Sequence, residues 1–455
     1  MNRVSLNLFE RFQKVENAIA IIDNVKSYTY DDLIKKVNLF ENELNKAGVI
    51  KGDLVLLIAD YSFESIAMFL AMFKYGNIIA PINSTNESEI RDRMDVCGPS
   101  FVFNLRDHSM TKHMGMVSHL LVDQIREKNI SGLILFSSGS TGKPKAMVHD
   151  LDNLVASYLD KKLKSLVFMV FLMFDHIGGL NTLFNCLAMG ATIVIPKNRK
   201  PDEIADLIQK FKINILPASP TFLNLMIIAK VSEIYNLSSL KLITYGTEPM
   251  PESLLKKLKY IFPSVKLLQT FGTSETGIIR TVSKSSESTF LKLDDPNQEY
   301  KIVNGELWLR SKTQIMGYLN NNMDSFSDDG WFKTGDLVQQ TPDGFIKIIG
   351  RLKEVINVGG EKVLPTEVES VILELPLIED CTVFGLPNAI TGQLVSVNIV
   401  LKEPIDKVVI KSIIKQHCAS KLEKYKVPVK IQIVSKLNVS ERYKKIRDNG
   451  NPNNF

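Results

Sequence analysis

Residues 133–145 read LILFSSGSTGKPK, an apolar run that leads directly into a loop of glycine, hydroxyl and lysine residues. The apolar run predicts a buried strand. Gly139 and Gly142 allow the loop backbone to turn several N–H groups toward one point, and the hydroxyls and lysines add donors and positive charge. The stretch therefore predicts a loop that holds a polyphosphate. A flexible linker is the alternative, and the strand directly before the loop argues against it.

This loop is not a Walker P-loop. The Walker pattern GxxxxGK[ST] would require glycine at Ser137 and serine or threonine at Pro144. Proline at position 144 also makes a helix start of the P-loop type less natural. The polyphosphate is therefore expected on a different scaffold.

The residues around the loop alternate between strand and helix patterns. We predict helices at Leu151–Lys164, Gly179–Met189 and Pro201–Phe211, and strands at Val167–Met173, Ala191–Ile195, Ile213–Leu216 and Leu242–Tyr245. This alternation predicts an α/β fold with a doubly wound sheet, whose ligands lie at the carboxyl ends of strands. Three loops of interest leave such ends, after Phe136, after Tyr245 and after Gln269.

The length of 455 residues predicts two or three cores rather than one. Short β-type runs separated by turn signals follow the α/β part, and short mixed elements follow residue 351. We predict a large N-terminal domain at 1–351, with a small β-barrel-like subdomain at about 278–350. A small mobile α+β C-terminal domain is predicted at 352–455.

The composition indicates a soluble globular protein, with 45% hydrophobic and 23% charged residues. The 55 basic and 50 acidic residues are well mixed, and a net charge of +5 is too small to indicate nucleic acid binding. The four cysteines form no CxxC pair, which favours reduced thiols in a cytoplasmic protein. No signal-peptide core is present, and the longest apolar run, Leu166–Phe174, is too short to span a membrane.

The glycine-rich loop resembles the signature loop of the adenylate-forming superfamily, [ST]SG[ST]TGxPKG, with Ala146 in place of the last glycine. This superfamily includes acyl-CoA synthetases, aryl-CoA ligases, peptide-synthetase adenylation domains and luciferases. The resemblance continues in order from about Tyr28 to Arg447. It implies that the ATP phosphates are held by Ser137, Ser138, Gly139, Ser140, Thr141, Gly142, Lys143 and Lys145.

Four further motifs carry the resemblance. A loop that resembles the adenine-flanking segment contains Gly246, Thr247 and Glu248. An aromatic-Gly-x-Thr-Glu motif is matched by Phe271, Gly272, Thr273, Ser274 and Glu275, and it implies a hydroxyl on the α-phosphate and a Mg²⁺ ligand at Glu275. The GW[FY]xTGD and Gly-Arg motifs place Asp336 and Arg351 at the ribose. Alone, these acids would be interpreted as turn residues.

The resemblance also implies roles in the second half of the reaction. Lys353 corresponds to the hinge about which the C-terminal domain swings, and Gly359 and Gly360 correspond to a loop beside the acceptor thiol. The catalytic lysine is Lys445 or Lys444, with Lys445 preferred, although the glycine and proline of that motif are missing and a solvated basic tail is the alternative. His176 is expected either beside the substrate carboxylate or as a structural hydrogen-bonding residue.

Together these resemblances imply an ATP-dependent ligase that activates a small carboxylic acid as acyl-AMP and transfers it to a thiol. The implied cofactors are ATP, Mg²⁺ and coenzyme A, or the phosphopantetheine of a carrier protein. The alternatives are an acyl-AMP ligase that loads an acyl carrier protein, a luciferase-like oxygenase, and a nucleotide-binding regulator with weakened catalysis. The acid and the oligomeric state are not predicted.

Overall fold

The structure is a computed structural model that describes residues 3–24, 26–113, 119–137, 144–440 and 445–447. Its helices are, in chain order, α1 Arg3–Gln13, α2 Tyr30–Lys46, α3 Phe63–Tyr75, α4 Glu87–Cys97, α5 Leu120–Lys128, α6 Leu151–Ala156, α7 Ile177–Met189, α8 Pro201–Phe211, α9 Pro220–Ile228, α10 Val231–Ile234, α11 Glu252–Ile261, α12 Pro365–Ile372 and α13 Lys407–Ala419. Short 3-10 turns are formed by Leu352–Glu354 and Lys424–Lys426.

The strands are, in chain order, β1 Ile19–Asp23, β2 Lys26–Thr29, β3 Leu54–Ile58, β4 Ile78–Ile82, β5 Phe101–Asn104, β6 Ser109–Lys112, β7 Gly132–Ser137, β8 Lys145–Asp150, β9 Val167–Met169, β10 Thr192–Ile195, β11 Ile215–Ala218, β12 Leu242–Tyr245, β13 Lys266–Gln269, β14 Phe271–Thr273, β15 Gly277–Ile279, β16 Thr281–Ser283, β17 Leu291–Leu293, β18 Gln298–Val303, β19 Glu306–Ser311, β20 Gly317–Tyr318, β21 Phe332–Gln340, β22 Ile346–Arg351, β23 Ile356–Val358, β24 Glu361–Val363, β25 Ile378–Asn388, β26 Gly392–Leu401 and β27 Lys430–Ile433.

Two seven-stranded sheets form the centre of the large domain. Their strand orders are β13-β12-β11-β9-β10-β1-β2 and β20-β8-β7-β4-β3-β5-β6, and in both sheets the central strands are parallel. The main hydrophobic cluster lies between the sheets and includes residues of α2, α3 and α7. Further clusters cover the outer faces, with α8, α9 and α11 on the first sheet and α4 and α5 on the second. Both sheets are therefore enclosed by helices, as parallel sheets require.

Strand β3 shows how the sequence produces this layering. All five of its residues are apolar and buried. Val55 and Leu57 belong to the cluster between the sheets, whereas Leu54, Leu56 and Ile58 belong to the outer cluster. Successive side chains of a strand point to opposite faces, so a continuous apolar run is what a strand buried on both faces needs.

The β-rich subdomain of the prediction contains a six-stranded antiparallel sheet with the order β16-β17-β22-β21-β19-β18. It has a small apolar cluster of its own, which includes Leu307 and Leu309 of β19. The C-terminal domain contains a five-stranded sheet of β23 to β27, and its separate cluster uses residues from Ile356 onward. This separate core is consistent with the predicted boundary near residue 352.

Two of the predicted elements are shorter in the structure. The helix predicted at Leu151–Lys164 ends at Ala156, because the chain then turns and the Ser157 hydroxyl donates a hydrogen bond to the Leu154 carbonyl. The strand predicted at Val167–Met173 ends at Met169. The backbone at Met173 instead approaches helix α7, so closely that a Cβ on Gly179 would lie 2.0 Å from the Met173 carbonyl oxygen.

Candidate active site

The predicted phosphate loop connects β7 to β8, which pair as an antiparallel hairpin. Ser137 is the register partner of Lys145, so the two ends of the loop lie side by side. The side chain of Asn320 holds the exit of the loop, since its amide nitrogen donates to the Pro144 carbonyl at 2.7 Å and its oxygen accepts from the Ala146 N–H at 3.0 Å. Outside the described residues lie Ser138, Gly139, Ser140, Thr141, Gly142 and Lys143.

Glu275 lies in the tight turn between β14 and β15, next to this hairpin. The Tyr318 hydroxyl donates to Glu275 Oε1 at 3.2 Å, and the Lys145 ammonium lies 5.8 Å from the Tyr318 ring centroid. Burial raises the pKa of the Glu275 carboxyl, although the positive charges of Arg351 and Lys145 act in the opposite direction. The structure therefore brings an acid, a hydroxyl and two cations together around the exit of the loop.

Asp336 and Arg351 form the next part of the site. They are register partners on β21 and β22, and Arg351 Nε lies 3.0 Å from Asp336 Oδ1. Asp336 is buried, and its backbone N–H donates to the Thr334 hydroxyl. Because Arg351 acts electrostatically on Glu275 and pairs with Asp336, it links the two acids that the sequence places 61 residues apart.

The segment predicted to flank adenine follows β12. Gly246 must be glycine here, because a Cβ would lie 2.6 Å from Thr270 Oγ1 and 2.7 Å from the Thr270 carbonyl oxygen. Thr247 has a φ of 72°, a strained value for a β-branched residue. Glu248 Oε1 accepts from the Thr221 N–H at the start of α9 at 2.8 Å. The loop is thus fixed at a β-strand carboxyl end, and Thr247 is exposed there.

The remaining residues of the aromatic-Gly-x-Thr-Glu motif build the turn that carries Glu275. Phe271 is buried in the core of the β-rich subdomain, and a Cβ on Gly272 would lie 2.6 Å from the Gly277 carbonyl oxygen. The Thr273 hydroxyl accepts from the Thr276 N–H at 3.1 Å, and Ser274 lies half-buried at the start of the turn.

His176 is the N-cap of helix α7. Its Nδ1 accepts a hydrogen bond from the Gly178 N–H at 3.2 Å, which keeps that nitrogen unprotonated and assigns a structural task to the ring. The neighbouring Asp175 is buried, and its Oδ2 accepts from the Asn83 N–H at 3.2 Å and from Arg93 at 3.3 Å. A contact of His176 with a substrate carboxylate remains a prediction.

Of the two candidate catalytic lysines, Lys445 is described and Lys444 is not. Lys445 Nζ lies 2.6 Å from Asp380 Oδ1 and 2.8 Å from the Cys381 carbonyl oxygen, so both side-chain partners belong to the C-terminal domain. Its backbone N–H donates to Glu248 Oε2 at 3.5 Å, across the domain boundary. Gly359 and Gly360 form the exposed turn between β23 and β24, both with positive φ.

A cavity of about 590 Å³ lies between the two domains, within the size range of small-molecule sites. Its walls come from loops at the carboxyl ends of strands in both large sheets and from the segment that precedes Lys445. The lining residues are Asp60, Asn83, Thr85, Arg106, Met173, Arg199, Val439 and Ser440.

The site suits a Mg²⁺ ion that is shared with a nucleotide. In the part of the chain that the structure describes, no group of three or more His, Cys, Asp or Glu side chains could hold a metal alone. Mg²⁺ commonly takes one or two carboxylates and completes its shell with phosphates and water. Glu275 fits that task, because burial disfavours its charge and a cation beside it would offset that cost.

Sequence comparison matches two family profiles to the chain. The profile of the AMP-binding enzyme family matches residues 8–319, and that of the AMP-binding enzyme C-terminal domain matches residues 367–444. The chain belongs to the AMP-binding enzyme family. The predicted membership of the adenylate-forming superfamily is therefore confirmed.

Two curated relatives illustrate this AMP-binding enzyme family. The chain is 28% identical to the probable CoA ligase CCL5 of Humulus lupulus, over 84% of this chain and 81% of the relative. It is 26% identical to the 2-succinylbenzoate–CoA ligase of Bacillus licheniformis, over 94% and 96% of the two chains.

A solved structure supports the fold of this AMP-binding enzyme. The anthranilate CoA ligase AuaEII, solved in complex with anthranoyl-AMP, superposes with a TM-score of 0.83, covers 97% of this chain and 95% of its own, and is 23% identical. The predicted α/β class, with a large N-terminal and a small C-terminal domain, is thus confirmed. Tyr318 and Asn320 were not predicted as site residues, since an isolated tyrosine and an asparagine in a polar stretch carry no recognisable sequence signal.

Proposed function

We propose that this AMP-binding enzyme is an AMP-forming acid–thiol ligase that converts a carboxylic acid to an acyl-AMP and then to a thioester of coenzyme A. The observation that carries the proposal is the convergence of Lys145, Glu275, Asp336 and Arg351 beside the β7–β8 hairpin. These residues come from separate motifs, and together they supply the positive and negative groups that a nucleotide triphosphate needs.

In the first step, a carboxylate oxygen of the acid attacks the α-phosphorus of ATP. The bond between this phosphorus and its bridging oxygen breaks, and pyrophosphate leaves with the electron pair. Negative charge accumulates on the phosphoryl oxygens, and Lys145, at the end of the predicted phosphate loop, is the proposed cation that stabilises it. No covalent enzyme intermediate is required, because positioning and electrostatic stabilisation are sufficient for this transfer.

Asp336 is the proposed ribose ligand. A buried carboxylate can accept hydrogen bonds from both ribose hydroxyls, and Arg351 Nε at 3.0 Å keeps one of its oxygens oriented. Arg351 itself is exposed, so it can contact the nucleotide without leaving the strand. The adenine ring is proposed to lie against Gly246 and Thr247, where a side chain at position 246 would clash with Thr270.

Glu275 is the proposed ligand of Mg²⁺. When bound, the ion would neutralise charge on the ATP phosphates next to the reacting phosphorus. The chain holds the carboxylate in place through the Tyr318 hydroxyl and through the Glu275 carbonyl, which accepts from the Ile315 N–H at 2.8 Å.

In the second step, the sulfur of the acceptor thiol attacks the acyl carbon, AMP leaves, and the thiol proton passes to water. Coenzyme A is the proposed acceptor, because the named relatives are CoA ligases. A carrier-protein thiol stays the alternative for the same chemistry. We propose aromatic acids as the first candidate substrates, in line with the 2-succinylbenzoate and anthranilate ligases named above, with fatty acids as the second class.

The cellular location remains a prediction. Among the described residues, no helix is long and apolar enough to cross a membrane. All four cysteines are described, unpaired and buried. This state of the thiols favours the reducing cytoplasm that the sequence analysis predicts.

The proposed function is tested by measuring pyrophosphate release from ATP with a panel of aromatic and fatty acids, with and without coenzyme A. We expect release with at least one acid, and AMP together with the acyl-CoA when coenzyme A is present. Glu275→Gln should lower the rate by about 100-fold or more, since it removes a charge at the reacting phosphates. The exposed Glu287→Gln is the matched control and should retain the rate. A wild-type enzyme that releases no pyrophosphate with any acid would contradict the proposal.

A further inference from the structure

Two described segments, residues 438–440 and 445–447, pair with each other. Val439 and Lys445 form an antiparallel bridge, and the Ile446 N–H donates to the Asn438 carbonyl at 3.0 Å. The resulting base, residues 438–440 and 445–447, will be called the hairpin base. Two of its side chains that point the same way, Lys445 and Arg447, are both mostly buried.

Lys445 and Arg447 both pair with acids of the C-terminal domain. Lys445 Nζ contacts Asp380 Oδ1 at 2.6 Å, with only 12% of the Lys445 side chain exposed. Arg447 Nη2 contacts Glu369 Oε2 at 3.0 Å, and Glu369 Oε1 accepts from the Val383 N–H at 2.8 Å. Because alternate residues of an extended chain share a face, the two cations act together to fix one side of the hairpin base onto β25 and α12.

The electrostatics of Lys445 match a fixed ion pair. Burial alone would lower the pKa of the Lys445 ammonium, but the Asp380 and Glu369 carboxylates outweigh it, so the pKa lies above its ordinary value. Two of the three ammonium donors already have partners, in Asp380 and in the Cys381 carbonyl. A lysine in this state is charged and held, and its amino group is directed into its own domain.

Lys445 and Asp380 also contact the large domain, near the segment proposed to flank adenine. The Lys445 backbone N–H donates to Glu248 Oε2 at 3.5 Å, and Glu248 belongs to the segment proposed to flank adenine. Asp380 Oδ2 accepts from Asn224 Nδ2 of α9 at 3.4 Å. The position of the hairpin base relative to the nucleotide loop therefore depends on the Lys445–Asp380 pair.

We propose that Lys445 is a positioning residue, whose pairing with Asp380 holds the hairpin base against Glu248 during acyl-AMP formation, and that it is not the lysine that contacts the reacting acid. This inference rests on the proposed ligase function. The reacting lysine is then a different one, and Lys444 is the alternative that the motif offers.

The decisive experiment replaces the pair together. Lys445→Met leaves Asp380 buried without its partner, and Asp380→Leu leaves the Lys445 ammonium in the same condition, so each single variant should lose about tenfold or more in the rate of acyl-AMP formation. The double variant Lys445→Met/Asp380→Leu removes both charges and should recover to within about threefold of wild type. A lysine that acts on the reacting carboxylate cannot be recovered in this way. A double variant that is folded and as slow as Lys445→Met overturns the proposal.

Two further measurements separate positioning from general destabilisation. Transfer to coenzyme A from synthetic acyl-AMP should stay near the wild-type rate in both single variants, whereas a poorly folded enzyme would lose both half-reactions. Lys436→Met, an exposed lysine on the same segment, is the matched control and should behave as wild type. Lys444→Ala should abolish acyl-AMP formation with or without Asp380→Leu; full activity of Lys444→Ala would count against the assignment.

The test remains informative if the proposed function fails. Thermal unfolding of the wild type, the two single variants and the double variant measures the coupling between Lys445 and Asp380 without any substrate. Each single variant should lower the unfolding midpoint by about 5 °C or more, and the double variant should recover most of that loss. Additive losses would show that the two residues are not coupled and would overturn the anchor itself.

Discussion

His149 is a buried residue on β8, close in sequence to the phosphate loop. It is fully enclosed, and neither ring nitrogen has a hydrogen-bond partner among the described residues. Burial lowers the pKa of the His149 imidazole to about 4. An unfolded histidine has a pKa of about 6.5. At mildly acidic pH His149 therefore binds a proton in the unfolded chain but not in the folded chain.

This difference in protonation predicts that the protein becomes less stable as the pH falls. Above about pH 6.5 both states hold neutral His149, and its full contribution is present. As the pH falls from about 6.5 toward 4, only the unfolded chain is protonated, so the free energy of unfolding should drop by about 2 kcal/mol at about pH 5. Urea unfolding at about pH 7.5 and 5 measures this, and His149→Leu should remove that part of the pH dependence. The exposed His108→Asn should keep it; equal slopes for His149→Leu and wild type would contradict the assignment.

The residues of the site differ in how visible they are in the sequence. Glu275, Asp336 and Arg351 lie in recognisable motifs, and the structure brings the three residues together. Tyr318 and Asn320 act through the geometry of β20 and the segment after it, which pair with β8 only in the folded chain. A contact between residues about 175 positions apart has no local pattern, so sequence periodicity cannot reveal it.

At the scale of elements, β7 and β8 flank the predicted phosphate loop, and Asn320 contacts the described residues at its exit. The Asn320 side-chain amide donates to the Pro144 carbonyl and accepts from the Ala146 N–H. Because these two residues flank Lys145, the Asn320 side chain fixes the backbone from which the Lys145 side chain extends.

Asn320→Ala should therefore weaken ATP binding more than it slows the chemistry. Two hydrogen bonds to the loop exit are lost, each worth about 1 kcal/mol, so the Michaelis constant for ATP should rise by up to about 30-fold. Steady-state pyrophosphate release at varied ATP concentration measures it. Asn321→Ala, which changes the next residue of the same stretch, should leave the constant unchanged. A rise of equal size in both variants would assign the effect to the stretch as a whole rather than to Asn320.

The observed helix and strand bounds agree with the predicted ones where the local sequence signals and the tertiary packing favour the same residues. Helix α8 begins at Pro201 and ends at Phe211 as its proline start and apolar spacing predict. The helix at Leu151 was predicted eight residues too long, because the hydroxyl of Ser157 competes for a backbone carbonyl and tertiary contacts end the helix. The apolar run after Met169 is buried as a loop rather than as a strand, which periodicity alone cannot distinguish.

At the scale of the whole molecule, one short connection joins two units that have separate hydrophobic clusters. Among the described residues, the C-terminal cluster begins at Ile356, and the clusters of the large domain end at or before Phe332, apart from the β-rich cluster that ends at Ile348. The 3-10 turn Leu352–Glu354 lies between them, and the Lys353 side chain is exposed there. None of the three residues of this turn is buried, and such a connection can change its backbone angles at low cost, as a hinge requires.

A proline at position 353 should affect the rates of the two half-reactions differently. Lys353→Pro fixes φ at position 353 and restricts Leu352, while the turn hydrogen bond from the Val355 N–H to the Leu352 carbonyl does not need the Lys353 N–H. If the C-terminal domain must rotate between the steps, acyl-AMP formation should stay within about threefold of wild type, and thioester formation should fall about tenfold or more. Lys353→Ala removes only an exposed side chain and should retain both rates. Single-turnover measurements of pyrophosphate release and of acyl-CoA formation distinguish the steps, and an equal loss of both in Lys353→Pro would show that the residue serves the fold rather than a rotation.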